Sequence, residues 1–293
     1  FTLHNVRPEP PQPFEPNRIL KVTPAFLETV IETVRKAGYD IVSLDEAARR
    51  MKADAPARPF ACFTFDDGYR DNRDHAYPIF KKHGLPFAIY VPTAYADGEG
   101  DLWWLVLERA IRKADRVRAV LGGGEHVFDT ASTEAKERAF DRIYWSLRSG
   151  PESELRAAVR RIADEAGYDS SSLCRDLIMD WQELRQFAGD PLCTIGAHTV
   201  HHYELAKLPL EQARNEMIQS VDIIEAQFGI RPKHFSYPLG GPLSCGPREF
   251  DLAVELGFHT AVTTRPGGLY PYHLHKLCQL PRVSLNGYFQ ARR

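Results

Sequence analysis

The sequence lacks several features that would assign it to common functional classes. Its 37 basic side chains are balanced by 39 acidic ones, for a net charge of -2, whereas nucleic-acid-binding domains usually carry a basic excess. No apolar run approaches the roughly 20 residues needed to span a bilayer. Gly122-Gly123-Gly124 is not a phosphate-binding loop, because no lysine or serine follows at the required spacing. We therefore expect neither a nucleic-acid partner nor a membrane-spanning helix.

Cysteine is also scarce, and its spacing is irregular. The five cysteines are Cys62, Cys174, Cys193, Cys245 and Cys278. An odd number without paired spacing is atypical of a disulfide framework, so we predict five thiols. This pattern favours the cytoplasm. A secreted or periplasmic location stays open, because the chain begins at Phe1 rather than at methionine and a leader could have been removed.

Strand and helix patterns alternate along most of the chain. A helix is predicted after Thr23-Pro24, an N-cap followed by proline at the first helical position, and Gly38 ends it. The strands predicted are Tyr39–Val42, Phe60–Phe65, Leu85–Val91, Leu192–Gly196, His234–Tyr237, Phe258–Val262 and Leu277–Val283. Short alternation of strand and helix implies a parallel sheet covered by helices. We predict an α/β fold, a distorted (β/α) barrel of about seven parallel strands.

The stretch from about Leu102 to Asp176 interrupts this alternation. Three helical patterns are present, at Trp103–Ala114, Glu134–Leu147 and Glu154–Ala166, and we predict no strand among them. The stretch is therefore interpreted as a helical insertion, at about 102–176, in a single domain that covers residues 1–293. Such an insertion could form a lid or a surface for homo-oligomerisation, and the sequence leaves both open.

Three polar segments each follow a predicted strand directly. Asp66-Asp67-Gly68 follows the strand that ends at Phe65, and His198-Thr199-Val200-His201-His202 follows a later one. Pro238-Leu239-Gly240-Gly241 follows a third. Parallel α/β folds place their active sites at the carboxyl ends of the strands. We therefore expect the three segments to meet at one rim.

The residue types in these segments are typical of a metal site. His198 and His202 are four residues apart, so in a helical turn they would share a face and reach one ion. Taken alone, such a pair is as often a solvated turn. Adjacent Asp66 and Asp67 would repel each other unless a cation compensates one of them. One carboxylate and two imidazoles leave a coordination position for water on zinc, and His201 is the alternative to His202 as a ligand.

At these positions the sequence resembles the polysaccharide deacetylase family, which shares a domain with the nodulation-factor chitooligosaccharide deacetylases. Thr64-Phe65-Asp66-Asp67-Gly68 looks like the first motif of the family, and the segment His198–His202 matches its His-Ser/Thr-x-x-His motif. Phe235–Gly240 is similar to the third motif, usually Arg-x-Pro-Tyr-Gly. The resemblance extends from about Phe1 to Ser284, and it is stronger to the exopolysaccharide-type branch than to the peptidoglycan-type branch.

The resemblance implies a metal-dependent hydrolase that removes N-acetyl groups from an amino-sugar oligosaccharide or polysaccharide. It implies a divalent metal, with zinc expected from the ligand set, held by Asp67, His198 and His202. It also implies Asp66 as the general base and the Leu239 backbone N–H as a donor to the oxyanion. We expect three residues to contact the substrate, namely Tyr69, Tyr237 and Pro238.

Two departures from the family pattern affect the catalytic set. In the third motif Ser236 replaces the arginine that orients the base, and Leu239 replaces the tyrosine. Arg282 on the last predicted strand is the candidate replacement, with a surface arginine as the equally weighted alternative. The Leu-x-His motif that supplies the family's general acid is absent. Four histidines are candidates, and the assignment stays open among His4, His259, His273 and His275.

Two other functions are compatible with the same residues. The metal site could act on a small non-sugar amide or a cyclic imide instead of a sugar. Alternatively, the missing arginine and terminal histidine are compatible with a catalytically weak carbohydrate-binding protein that keeps the fold.

Overall fold

The computed structural model describes residues 1–53 and 58–290. The chain divides into two compact units. The larger comprises Phe1–Pro8, Leu20–Gly100 and Leu177–Arg293, and the smaller comprises Glu9–Ile19 and Asp101–Asp176. Within the described ranges, no helix combines the length and the apolar character that crossing a bilayer requires. All five cysteines lie in these ranges, and none of them forms a disulfide.

The described residues form thirteen short strands and eleven α-helices. The strands are β1 (Thr2–Leu3), β2 (Asn5–Val6), β3 (Lys21–Val22), β4 (Asp40–Ile41), β5 (Phe60–Ala61), β6 (Thr64–Asp66), β7 (Phe87–Val91), β8 (Arg116–Leu121), β9 (Gly124–Asp129), β10 (Cys193–Ala197), β11 (His234–Ser236), β12 (Thr260–Pro266) and β13 (Leu280–Arg282). The helices are α1 (Pro24–Lys36), α2 (Leu44–Met51), α3 (Tyr77–His83), α4 (Thr93–Ala96), α5 (Trp103–Lys113), α6 (Thr133–Arg148), α7 (Glu152–Glu165), α8 (Leu173–Leu177), α9 (Trp181–Ala188), α10 (Leu210–Phe228) and α11 (Pro247–Glu255).

The larger unit is built on a seven-stranded parallel sheet with the order β1-β6-β7-β10-β11-β12-β13. A parallel bridge between Thr2 and Ser284 brings the first strand beside the end of the last, which nearly closes the sheet into a barrel. The register between β12 and β13 shifts between Val262 and Pro266, so the barrel is irregular there. The predicted distorted (β/α) barrel with about seven parallel strands is confirmed.

Local signals account for where several helices begin and end. Thr23 caps α1 by accepting the Phe26 N–H at 3.2 Å, with proline at the first helical position, and Ser43 caps α2 by accepting the Glu46 N–H. Helix α10 ends at Phe228 and is followed by Gly229, whose φ of 71° lies in the left-handed region. An L side chain is disfavoured there, which is why glycine so often ends a helix.

The core of the larger unit lies between the barrel strands and the helices around them. One cluster of buried side chains packs β1, β6 and β7 against α1 and α3, with Phe65, Phe80 and Phe87 in mutual edge or tilted contact. A second packs β11 and β12 against α10 and α11 around Phe235. Burial of aromatic rings on this scale stabilises the short strands, which would not persist alone.

The prediction of a single strand over Phe60–Phe65 was wrong. The segment forms two strands, because Cys62 and Phe63 separate β5 from β6. β5 pairs with β4 in a separate two-stranded sheet, whereas β6 joins the barrel. An unbroken apolar run does not reveal which partner strand each residue has, so the division is set by tertiary pairing.

The smaller unit is mainly helical, but the prediction that it contains no strand was also wrong. β8 and β9 form an antiparallel hairpin whose turn is Gly122-Gly123, with φ of 59° and 83°. Along β8, buried and exposed residues alternate: Val117, Ala119 and Leu121 are buried. Alternation of buried and exposed residues next to a glycine turn is the usual signature of a hairpin. The hairpin was not predicted because the segments on both sides have helical patterns.

Candidate active site and metal centre

The three polar segments lie at the carboxyl ends of barrel strands. Asp66 is the last residue of β6, His198 directly follows β10, and Tyr237 directly follows β11. β10 pairs with both β7 and β11, and β7 in turn pairs with β6. Because all of these strands run in parallel, the three segments emerge on the same rim, as the sequence indicated.

Asp67, His198 and His202 are brought together at this rim, and all three are buried. Their potential ligand atoms lie within 4.8 Å of one another. Asp67 Oδ1 is 3.3 Å from His202 Nε2 and 3.6 Å from His198 Nε2. The alternative ligand His201 turns away, since its Nδ1–H donates to Glu216 Oε1 at 2.6 Å.

The predicted helical turn at His198–His202 is not formed. The segment is irregular, and Thr199 and His202 have φ of 66° and 59°. Four non-glycine residues have positive φ within 1–53 and 58–290: these two, Asp67 and Leu239. Such conformations cost about 1 kcal/mol or more each and are found mainly where a site demands them. All four of them lie in the three polar segments.

Hydrogen bonding orients the first imidazole. His198 Nδ1–H donates to the Ser236 carbonyl at 2.6 Å, which fixes the tautomer and leaves the Nε2 lone pair facing Asp67. The backbone N–H of His202 donates to Thr199 Oγ1 at 2.9 Å. Contacts between neighbouring segments thus orient the imidazole rings of His198 and His202 towards the Asp67 carboxylate.

These residues fit a divalent cation. Asp67 Oδ1 is buried and forms no hydrogen bond with any described residue, although two imidazole nitrogens lie close to it. A buried acceptor is rarely left unsatisfied. Burial by itself would raise the pKa of the Asp67 carboxyl, but His202 and His198 outweigh it and lower the pKa, so that the carboxyl stays ionised. Carboxylate and imidazole are common ligands of zinc.

Asp66, by contrast, is paired with Arg282. The guanidinium donates to both carboxylate oxygens, Nη1 to Oδ1 at 2.9 Å and Nη2 to Oδ2 at 2.7 Å, and both side chains are buried. Burial would raise the pKa of Asp66, but Arg282 overrides that effect, with smaller contributions from His198 and His4, and holds the pKa well below its ordinary value. The two adjacent aspartates therefore have different partners.

Arg282 is itself fixed by the barrel. Its Nε donates to the Thr263 carbonyl at 2.8 Å, Nη1 to Thr64 Oγ1 at 2.9 Å and Nη2 to Ser236 Oγ at 3.1 Å. The alternative of a surface arginine is excluded by this burial. Ser236, which stands where the family has arginine, accepts from Arg282 instead of approaching Asp66 directly.

The segment after β11 makes a tight turn. Leu239 has φ of 59°, and Gly240 N–H donates to the Pro238 carbonyl at 2.6 Å. No acceptor for the Leu239 N–H is found among the residues that the structure describes. Gly240 lies against β12, where an added Cβ would stand 2.5 Å from Thr264 N. Glycine is therefore required there by close approach as well as by its φ of 59°.

The four candidate histidines have different surroundings. His4 directly follows β1, the neighbour of β6, and alternation along the strand puts its side chain on the same face as Thr2, which donates to Asp66. It is close enough to both aspartates to lower their pKa. His259 precedes β12 and is therefore at the opposite end of the barrel. His273 is buried against Tyr270, and His275 is exposed.

The residues expected to contact substrate are enclosed. Tyr69, Tyr237 and Pro238 are all buried, and the Tyr237 hydroxyl donates to the Cys278 carbonyl at 2.8 Å. As placed, neither tyrosine ring presents surface to solvent, so direct contact with a substrate would need a rearrangement. Substrate contact by these three residues stays a prediction.

The contact of Glu216 on α10 with the histidine segment was not predicted from the sequence. This buried carboxylate accepts hydrogen bonds from the backbone of the segment between His198 and His202. A signal was present, since Glu216 occupies the same helix face as the buried residues Ala213, Met217, Ser220, Val221 and Ile224. A glutamate within such a stripe is uncommon, because an unpaired carboxylate is costly to bury.

Comparison with known proteins gives three consistent findings. The polysaccharide deacetylase family matches residues 53–260. The Bacillus subtilis protein YxkH, whose name places it among the polysaccharide deacetylases, is 20% identical over 261 residues, or 87% of this chain and 64% of that protein. The chain thus spans less than two thirds of the length of this curated relative.

Several solved structures share the fold. The Streptococcus pyogenes deacetylase PplD, solved in complex with acetate, has a TM-score of 0.63 at 17% identity over 98% of this chain and 91% of its own. IcaB from Ammonifex degensii has a TM-score of 0.56 at 17% identity, covering 97% and 90%. With the family match over more than half of the sequence, this chain belongs to the polysaccharide deacetylase family.

Proposed function

We propose that the protein is a metal-dependent hydrolase that removes N-acetyl groups from an amino-sugar oligosaccharide or polysaccharide. The observation that carries the proposal is the buried group of Asp67, His198 and His202 beside an aspartate held by arginine. Family membership supports the reaction class, and the structurally similar PplD of Streptococcus pyogenes is a deacetylase.

The three buried ligands would hold the cation, and zinc is proposed because the set is one carboxylate and two imidazoles. When bound there, a divalent ion would polarise the acetamide carbonyl and lower the pKa of water. Asp66 is the proposed general base. Its low pKa keeps it ionised, and Arg282 holds both of its oxygens so that the carboxylate keeps one orientation.

Two further groups of the chain complete the proposed reaction. The Leu239 N–H, which has no acceptor among the described residues, would donate to the oxyanion of the tetrahedral intermediate. The leaving amine must gain a proton, and His4 is the proposed general acid because of the four candidates it faces the two aspartates. The products are acetate and a free amino sugar.

The proposal is tested by metal removal and reconstitution. Chelation should abolish acetate release from N-acetylated chitooligosaccharides, and stoichiometric Zn²⁺ should restore it, whereas Asp66→Asn should stay inactive with the metal bound. Acetate would be measured enzymatically, and zinc by elemental analysis. Ring opening of cyclic imides without acetate release would favour the amidohydrolase alternative. Glycan binding without any turnover, unchanged in Asp66→Asn, would favour a binding protein.

We also propose that the smaller unit mediates self-association. It exposes Trp145 and Val127, at 62% and 60% of their surfaces. Light scattering after size exclusion should give a mass above 33.3 kDa for the wild type, and Trp145→Glu should shift it to the monomer. A monomeric wild type at high protein concentration would refute this.

A further inference from the structure

We propose that Glu216 is a positioning residue that holds the His198–His202 loop in the conformation that binds metal. The proposal rests on the proposed metal site and adds to it a carboxylate that is not itself a ligand. Its basis is the set of contacts between α10 and the loop.

The backbone conformation of the loop is one that non-glycine residues disfavour. The loop lies outside any helix or strand, and Thr199 and His202 are in the left-handed region. Within the loop, the His202 N–H donates to Thr199 Oγ1 at 2.9 Å. A non-glycine residue in this region persists only where surrounding structure imposes it. Restraint must therefore come from other elements.

Two elements supply that restraint through hydrogen bonds to the loop backbone. The start of α4 binds the loop carbonyls, since Thr93 and Ala94 donate their N–H groups to the carbonyls of Thr199 and Val200 at 3.2 and 3.0 Å. Glu216 binds the loop N–H groups. Its Oε2 accepts from Val200 and His201 at 3.0 and 2.9 Å. Its Oε1 accepts from His201 Nδ1 at 2.6 Å.

If the Glu216 side chain served only to fill space, burying its charge would destabilise the fold without any benefit. Glu216 is buried on the inner face of α10, beside Met217 and near Val221. A leucine or methionine would fill such a position without desolvating a charge, which otherwise costs several kcal/mol. What a carboxylate adds is the ability to accept two consecutive backbone N–H groups and a side-chain N–H together.

Those contacts lie between the two imidazole ligands. His198 precedes Val200 and His202 follows His201, so movement of the central pair shifts both Nε2 atoms relative to Asp67. Residues that orient metal ligands typically change metal affinity 10- to 100-fold when they are replaced. We expect an effect of about this size.

The test measures binding of Zn²⁺ to the full chain, by competition with a chromophoric chelator. Glu216→Leu should raise the Kd about 10- to 100-fold, and Glu216→Gln by a smaller factor, because the amide can still accept from the backbone. The matched control is Glu249→Gln. Glu249 is also buried and accepts the Gly246 N–H at 2.7 Å, but it contacts no residue of the loop among the described contacts. Its Kd should stay within about twofold of wild type.

Thermal unfolding checks that each variant is folded. If Glu216→Leu fails to fold, the visible spectrum of Co²⁺ bound to Glu216→Gln decides, since a changed ligand geometry alters the intensity of its bands. A spectrum and a Kd like those of wild type would overturn the proposal. A wild-type protein that binds no Zn²⁺ would overturn the metal site itself, and the proposed function with it.

Discussion

At the scale of single residues, the pair of Asp66 and Arg282 combines a structural role with the proposed catalytic one. Both side chains are buried, and the two charges are satisfied by each other and by fixed barrel groups. Removing one partner of a buried pair leaves the other charge uncompensated, which typically costs about 3–5 kcal/mol. The pair therefore predicts different outcomes for conservative and for truncating substitutions.

Arg282→Lys should lower kcat about 10- to 100-fold while the protein stays folded, because lysine keeps the charge but cannot hold both oxygens of Asp66. Arg282→Ala should reduce the free energy of unfolding by about 3–5 kcal/mol, measured by urea denaturation. Arg248→Lys is the control, since Arg248 is 40% exposed. Full activity in Arg282→Lys would contradict the proposed positioning of the base.

The proposed role of His4 as the general acid can be tested by comparing substrates with different leaving groups. Cleavage of an amide requires proton donation to the departing amine, whereas 4-nitrophenolate departs without a proton. His4→Gln should therefore lower acetate release from N-acetylated sugars about 10²- to 10⁴-fold and leave hydrolysis of 4-nitrophenyl acetate near the wild-type rate. Equal losses on both substrates would argue against His4 as the acid. His275→Gln, at an exposed position, is the control.

At the scale of elements, the site depends on three short loops that are tied to neighbouring strands and helices. The loop after β11 is the tightest, because Gly240 packs directly against the backbone of β12, whose Thr264 N–H donates to the Gly240 carbonyl at 3.1 Å. Thr264 Oγ1 also donates to the Leu239 carbonyl at 2.5 Å. The direction of the Leu239 N–H is thus set by this packing.

Gly240→Ala should displace the loop and lower kcat about tenfold or more, because the methyl group would clash with Thr264 and the backbone has positive φ. Binding of Zn²⁺ should be unchanged, since Asp67, His198 and His202 lie in other segments. Gly241→Ala is a matched control, because the nearest atom to its added Cβ is Ser244 Oγ at 3.9 Å. Wild-type kcat in Gly240→Ala would show that the oxyanion donor lies elsewhere.

At the scale of the whole molecule, one buried histidine makes stability depend on pH. His234 is 1% exposed, and its imidazole contacts Thr260 Oγ1 at 2.8 Å and Asp45 Oδ1 at 3.3 Å. Burial, only partly offset by Asp45, lowers its pKa from 6.5 to about 4. The folded protein therefore keeps this ring neutral in a range where the unfolded chain binds a proton.

At pH values above the pKa of His234 in the unfolded chain, this residue does not make the free energy of unfolding depend on pH. As the pH falls from 6.5 towards 4, the unfolded state takes up the proton first, so the free energy of unfolding should fall, by about 2 kcal/mol between pH 7 and pH 5. His234→Gln should remove this part of the slope in urea denaturation at the two pH values. An unchanged slope would mean that other groups cause it. His275→Gln should retain the slope of the wild type.

Much of the architecture was predictable from the sequence because its signals are local. Periodicity, caps and glycine stops indicated every barrel strand except β1, together with the helices α1, α5, α6 and α7. The three polar segments were recognisable because each directly follows an apolar strand. Parallel strands then carry them to one rim, whatever the details of packing.

Other features could not be decided from the sequence, because they depend on residues far apart in the chain. The sequence left Arg282 open between orienting the base and lying at the surface, and the fold decides because Arg282 contacts Asp66, 216 positions away. The Phe60–Phe65 run divides according to which strand each half pairs with. The His198–His202 loop is not helical, and its backbone is hydrogen-bonded to the distant residues of α4 and to Glu216 instead. The sequence determined which groups are available at the rim. The tertiary structure decided their orientation, since backbone conformation in short loops follows from contacts that close only in the folded chain.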